Sequence, residues 1–137
     1  MMKRIMLLMI VASMVLSGVV ICEAKAEKTD WQICKQLCHN FGYKKIKVIE
    51  SNKITDKELW TIIENRKSKK VIYVEKVISI SDGNKHGWYD TPDGKYIIGY
   101  NKKVKAGRKV TSYIIWNPKN NYEDDVLYVV DNGTFRT

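Results

Sequence analysis

The sequence is short of the residues that most often announce chemistry. Its 137 residues hold only two histidines, His39 and His86, so catalysis built on an imidazole has few places to sit. No G-x-S-x-G, H-E-x-x-H, glycine-rich phosphate loop or thiol–imidazole signature occurs. Paired carboxylates stay open, because their spacing is a property of the fold. Of three cysteines, only Cys34 and Cys38 lie beyond residue 26, and their four-residue spacing is neither the C-x-x-C redox pattern nor the C-x-x-C-H haem-attachment pattern. All five methionines fall within the first 14 residues, which deprives the rest of the chain of a methionine axial ligand. No cofactor is implied. There is no internal repeat and no low-complexity tail.

What is present begins with a targeting segment. Lys3 and Arg4 give a positive start, Ile5 to Ile21 an apolar run, and Ala24-Lys25-Ala26 a small-x-small cleavage pattern, so residues 1–26 read as a signal peptide with Glu27 as the mature N-terminus. The apolar run is long, and an uncleaved anchor is the alternative; Ser13, Ser17 and Gly18 weigh against it. Cys22 follows Ile21, where a lipidation site wants a small residue. Cleavage removes Lys3, Arg4, Lys25 and Glu23 from 24 basic and 15 acidic side chains, leaving 21 and 14, a net charge of +7. Residues 27–137 suit one domain. A basic exported domain is drawn to lipid headgroups, wall polymers, polysaccharides or nucleic acid, the last disfavoured by export.

Local signals then divide the chain. Thr29-Asp-Trp-Gln32 is a capping box ahead of a helix whose apolar stripe is Ile33, Leu37 and Phe41, with Gly42 as its stop. Lys45 to Glu50 reads as a short strand, its lysines discouraging edge pairing. Thr55-x-x-Glu58 is a second capping box, with Ile54 and Leu59 as a hydrophobic staple. That helix runs to about Asn65, and Arg66 to Lys70 is a basic connector. Val71 to Ile80 is the longest strand signal, apolar at Ile72, Val74, Ile78 and Ile80 but interrupted by Glu75-Lys76, where a bulge or bend is expected. Ser81 to Asp93 reads as a polar loop with turn chemistry at Pro92-Asp93-Gly94. Strands are expected over Lys95 to Tyr100, Lys109 to Trp116 and Val126 to Val130, the last closed by Asp131-Asn132-Gly133.

The expected class is α+β: a short helix–strand–helix lead-in followed by a small antiparallel β-barrel, OB-like or SH3-like, over residues 70–133. The run Val104-Lys-Ala-Gly-Arg-Lys-Val-Thr resembles the basic, glycine-centred entry to the third strand of such barrels. With the leader, Ile54-Thr55-Asp56-Lys57-Glu58-Leu59, and Asn117-Pro118 ahead of Asn121 and Asp124-Asp125-Val126, the chain resembles small exported proteins common in Firmicutes. That resemblance implies a secreted barrel and no established activity. The polar residues after Trp116 leave little room for the helix an OB fold places between its third and fourth strands.

Three groups of residues could carry function. Trp88, Tyr89, Tyr96 and Tyr100, interleaved with Lys85, Lys95, Lys102 and Lys103, have the composition of a stacking platform with a cationic rim; core filling is the competing account. Asp82-x-Asn84-x-His86-Gly87, with Asp93 at the twelfth position, echoes a calcium loop, although His86 replaces an oxygen ligand, Asp93 is shorter than the usual glutamate and the flanks read as strands; an ordinary polar hairpin loop is the preferred reading, and no metal is expected. The acidic run Glu123-Asp124-Asp125 could bind a cation or form a solvated turn. Cys34 and Cys38, one helical turn apart and followed by His39, could form a redox pair or a metal half-site, or simply pack as small apolar residues. The expectation is a secreted binding or interaction module for an anionic polymer, glycan or protein, with a membrane as partner only where the leader is uncleaved. An exported enzyme or thiol-dependent redox or metal protein using Cys34 and Cys38 is the alternative.

Overall fold

A computed structural model describes residues 28–66, 70–117 and 128–137. The leader, most of the basic connector and the acidic run lie outside the described residues. Helix α1 (Asp30–Asn40) starts at the expected capping box: Thr29 Oγ1 accepts from the Gln32 N–H and the Gln32 side chain accepts from the Thr29 N–H. It ends where Gly42 turns to φ 92°, the left-handed conformation glycine adopts without steric penalty. Strand β1 (Lys45–Glu50) leads through a 3-10 turn (Ser51–Lys53) to α2 (Asp56–Glu64), which carries the second box between Thr55 and Glu58. Then come β2 (Val71–Ser81), β3 (His86–Thr91), β4 (Gly94–Gly99), β5 (Lys109–Trp116), β6 (Tyr128–Asp131) and β7 (Thr134–Arg136).

The class is α+β, dominated by one sheet. Its order is β4-β3-β2-β5-β6-β7, all neighbours antiparallel, and β1 lies parallel to β2. Three elements share one edge of β2. Residues 71–76 pair with β1, the Asn52 side chain donates to the Ile78 carbonyl at 2.9 Å and accepts from its N–H at 3.0 Å, and Ile80 and Ser81 pair with β3. Asn52 thus stands in for a strand residue where β1 has ended and β3 has not begun.

Alternation in β2 decides the packing. Ile72 and Val74 point to one face, where with Ile115 and Val130 they bury Cys34 and Cys38 of α1. Tyr73 points to the other, into the cluster that joins Trp116 to Leu59 and Ile63 of α2. The two helices therefore cover opposite faces of the sheet's first half. Past Glu75 the buried positions change parity to Val77, Ser79 and Ser81. The expected bulge is not the cause, because pairing with β5 runs unbroken from Tyr73 to Ile80. Cover changes sides instead: Val77 packs with Ile98, Tyr100 and Val110, while among the described residues nothing comparable lies over Ile80.

The expected barrel is an open sheet. Six strands laid flat would hold β4 and β7 about 24 Å apart, at ~4.8 Å per step. Yet the Arg136 guanidinium donates to the Gly99 carbonyl at 2.9 Å, and Asn101 donates from its N–H to Asp131 at 2.9 Å and from its amide to the Thr134 carbonyl at 3.1 Å. The sheet is curled until its end strands meet through side chains, but no ladder joins them, so the strand pairing that closes a barrel is missing among the described residues.

Strand β3 and strand β7 depart from the sequence expectation. Residues 81–93 form a turn, a strand and a second turn rather than one loop. The Asp131-Asn132-Gly133 signal marks a hairpin rather than an end: Asn132 and Gly133 both take positive φ, 51° and 80°, as a two-residue β turn requires, and return the chain as β7.

Candidate functional site

The four aromatic residues of the expected platform do not share a face. Trp88 and Tyr89 are consecutive in β3 and so point to opposite sides. Tyr89 is paired with Tyr96 of β4, and their rings lie 5.8 Å apart on the inner side of the curl, where Tyr89 packs against the buried cluster. Burial, with the Glu75 and Asp56 carboxylates adding to it, pushes the Tyr89 hydroxyl up to about 12. Tyr100 is buried, its hydroxyl 2.8 Å from Ser79 Oγ. Gly87 makes that placement possible, since a Cβ there would fall 1.7 Å from the Tyr100 hydroxyl.

Trp88 alone faces outward, and it has company in Ile80, which the sequence pattern grouped with Ile72 and Val74, and in Ile97. Ile80 of β2 is in register with Trp88, and Trp88 with Ile97 of β4. These three side chains are 45%, 46% and 53% exposed, and they account for three of the five large apolar side chains exposed among the described residues. Lys109 of β5 continues the row beyond Ile80. Ile80 and Ile97 escaped sequence reasoning because alternation assigns a residue to a face without saying whether that face is covered. The one available signal was the parity change at Glu75.

Charge is distributed unevenly about this row. Toward one end of the sheet, the turn at residues 82–85 and the loop at 101–108 are bound together: Val104 N–H donates to the Asn84 carbonyl at 3.1 Å, Tyr100 N–H to Lys85 at 2.6 Å and Gly107 N–H to Ser81 at 2.9 Å. Lys85, Lys102, Lys103, Lys105, Arg108 and Lys109 are all exposed there, with Asp82 the only acid in those segments. On the other side of the row Lys95 pairs with Asp90 at 2.8 Å, which neutralises both.

The calcium-loop residues are separated rather than gathered. Asp82 accepts from the Asn84 N–H at 2.9 Å in a local turn, whereas Asp93 lies beyond β3, about 20 Å along an extended strand of six residues. There Asp93 accepts from Thr91 Oγ1 at 2.7 Å and from the Asp56 N–H at 3.0 Å, so it caps α2 from across the fold, and these hydrogen bonds hold its carboxyl below the ordinary range. Alternating strand residues run through the span where a calcium loop would need convergent oxygens. Among the described residues no group of three or more histidine, cysteine, aspartate or glutamate side chains could hold a metal ion.

Cys34 and Cys38 are free thiols with no exposed surface. Cys34 donates to Cys38, and this hydrogen bond together with burial pushes the Cys34 thiol well above its ordinary value. Neither sulfur is within reach of a substrate in this packing. Two acids are likewise interior. Glu75 accepts from Ser51 Oγ and from Trp116 Nε1, the latter at 3.1 Å, and burial raises its pKa despite both bonds. Asp131 accepts from the Asn101 N–H and the Asn132 amide while burial raises it too. Each is consumed in joining elements: Glu75 ties β2 to the 3-10 turn and β5, and Asp131 ties β6 to the segment after β4.

No family model, curated protein or solved structure compared with the chain matches it.

Proposed function

We propose that this chain is an exported binding module that engages an anionic partner through the Trp88 face. The observation that carries the reading is the in-register row Ile80–Trp88–Ile97, left bare by the sheet beside a cluster of lysines. Exposed apolar side chains gathered in this way mark interaction surfaces more often than single exposed ones do. The positive turns draw an acidic partner to the face, and the indole supplies contact area once it arrives. In this reading residues 1–26 are a cleaved leader, the protein acts outside the cell, and the curled sheet is a relative of the OB- or SH3-like barrels found in small exported Firmicutes proteins.

Retention on immobilised heparin across a salt gradient tests the proposal. Trp88→Ala should elute at clearly lower salt than the parent while its circular dichroism is unchanged. Equal elution of the two proteins would reduce the heparin interaction to bulk charge, and binding to anionic vesicles that is equally indifferent to the substitution would refute the role given to this face.

A further inference from the structure

The chemistry of the row narrows the partner. A sugar ring stacked on Trp88 needs hydrogen-bonding groups at its edges, and the residues flanking the indole in register are Ile80 and Ile97, which offer none. A bilayer interface asks for none. Indole rings settle at the headgroup level, aliphatic side chains beside them enter the acyl boundary, and lysines within reach find the phosphates. Resting on the binding function proposed above, we propose that the Trp88 face docks peripherally on an anionic lipid surface, with Ile80, Trp88 and Ile97 entering the interface and the turns at residues 82–85 and 101–108 lying against the headgroups.

Two observations support this occupant. The cations gather at one end of the row, in two turns joined by the hydrogen bond from the Val104 N–H to the Asn84 carbonyl. Lys109 lies in the row itself, next to Ile80, where a long side chain can lay its methylenes on lipid and keep its ammonium among the headgroups.

The test uses the chain from Glu27, which keeps every described element, and vesicles of phosphatidylglycerol with phosphatidylcholine, vesicles of phosphatidylcholine alone, and soluble heparin. Of the four tryptophans only Trp88 is exposed, so its emission should shift to the blue on the anionic vesicles and stay unchanged on the neutral ones. Trp88→Ala should weaken cosedimentation with the anionic vesicles by about tenfold, as expected for loss of an interfacial anchor, and Ile97→Ser should weaken it in the same direction without touching an aromatic ring. Heparin binding that depends on Trp88, with no vesicle binding, would overturn the lipid assignment and leave the binding function standing. Vesicle and heparin binding both indifferent to Trp88→Ala and Ile97→Ser would overturn both.

Discussion

Trp88 and Tyr89 are joined by one peptide bond and serve opposite sides of the same sheet, the indole 46% exposed and the phenol ring packed against Tyr96 at 5.8 Å. Function and stability should therefore separate at adjacent positions. Trp88→Ala should change unfolding free energy by no more than about 0.5 kcal/mol, as exposed substitutions do, whereas Tyr89→Ala should cost about 1–3 kcal/mol. Urea unfolding of the two variants checks this, and a larger loss for Trp88→Ala would reverse the assignment of faces.

The inner face sets a steric condition at Gly87. Because an added Cβ would meet the Tyr100 hydroxyl and ring, Gly87→Ala should cost about 1–3 kcal/mol through displaced packing. Tyr100→Phe, which loses only the hydrogen bond with Ser79, should cost about 0.5–1.5 kcal/mol. Thermal unfolding of both should place Gly87→Ala lower.

Glu75 predicts a pH dependence with a definite sign. Burial raises its folded-state pKa above the ordinary 4.5, so the folded chain holds this proton more tightly than the unfolded chain. The protonated carboxyl contributes its stability at low pH, and that contribution is lost as pH rises through the raised value. Glu75→Gln keeps an acceptor for Trp116 and cannot ionise. Its melting temperature should fall less than that of the parent between pH 4.5 and 7. Parallel profiles would show that Glu75 titrates normally.

Thr55 and the two thiols give simpler checks. Loss of the hydroxyl that accepts from the Glu58 N–H at 3.1 Å should make Thr55→Ala about 0.5–2 kcal/mol less stable. Cys34 and Cys38, without exposed surface, should resist a thiol reagent in the folded protein and react together on denaturation. Prompt reaction in the native state would show that α1 opens from the sheet.

Both helices, β1 and β5 were legible from sequence because their signals are local: capping boxes at Thr29 and Thr55, Gly42 as a stop, and unbroken β-branched runs. Strand β3 was not, since His86-Gly87 and Asp90 read as loop chemistry until β4 supplies partners for Trp88 and Tyr89. The candidate face was half legible. Trp88 stood out by type, but Tyr89, Tyr96 and Tyr100 turned inward and Ile80 and Ile97 outward, because alternation fixes relative sides and only tertiary packing decides which side is covered. The link between β4 and β7 through Arg136 and Asn101 lay beyond reach for the same reason.

Acrylamide quenching of tryptophan fluorescence tests the bare face most directly. Trp31 and Trp60 are partly buried and Trp116 is buried, so Trp88 should supply most of the readily quenched emission and Trp88→Phe should remove it. Quenching that is unchanged in Trp88→Phe would mean that the indole is covered in solution, contradicting the open row on which the binding function rests.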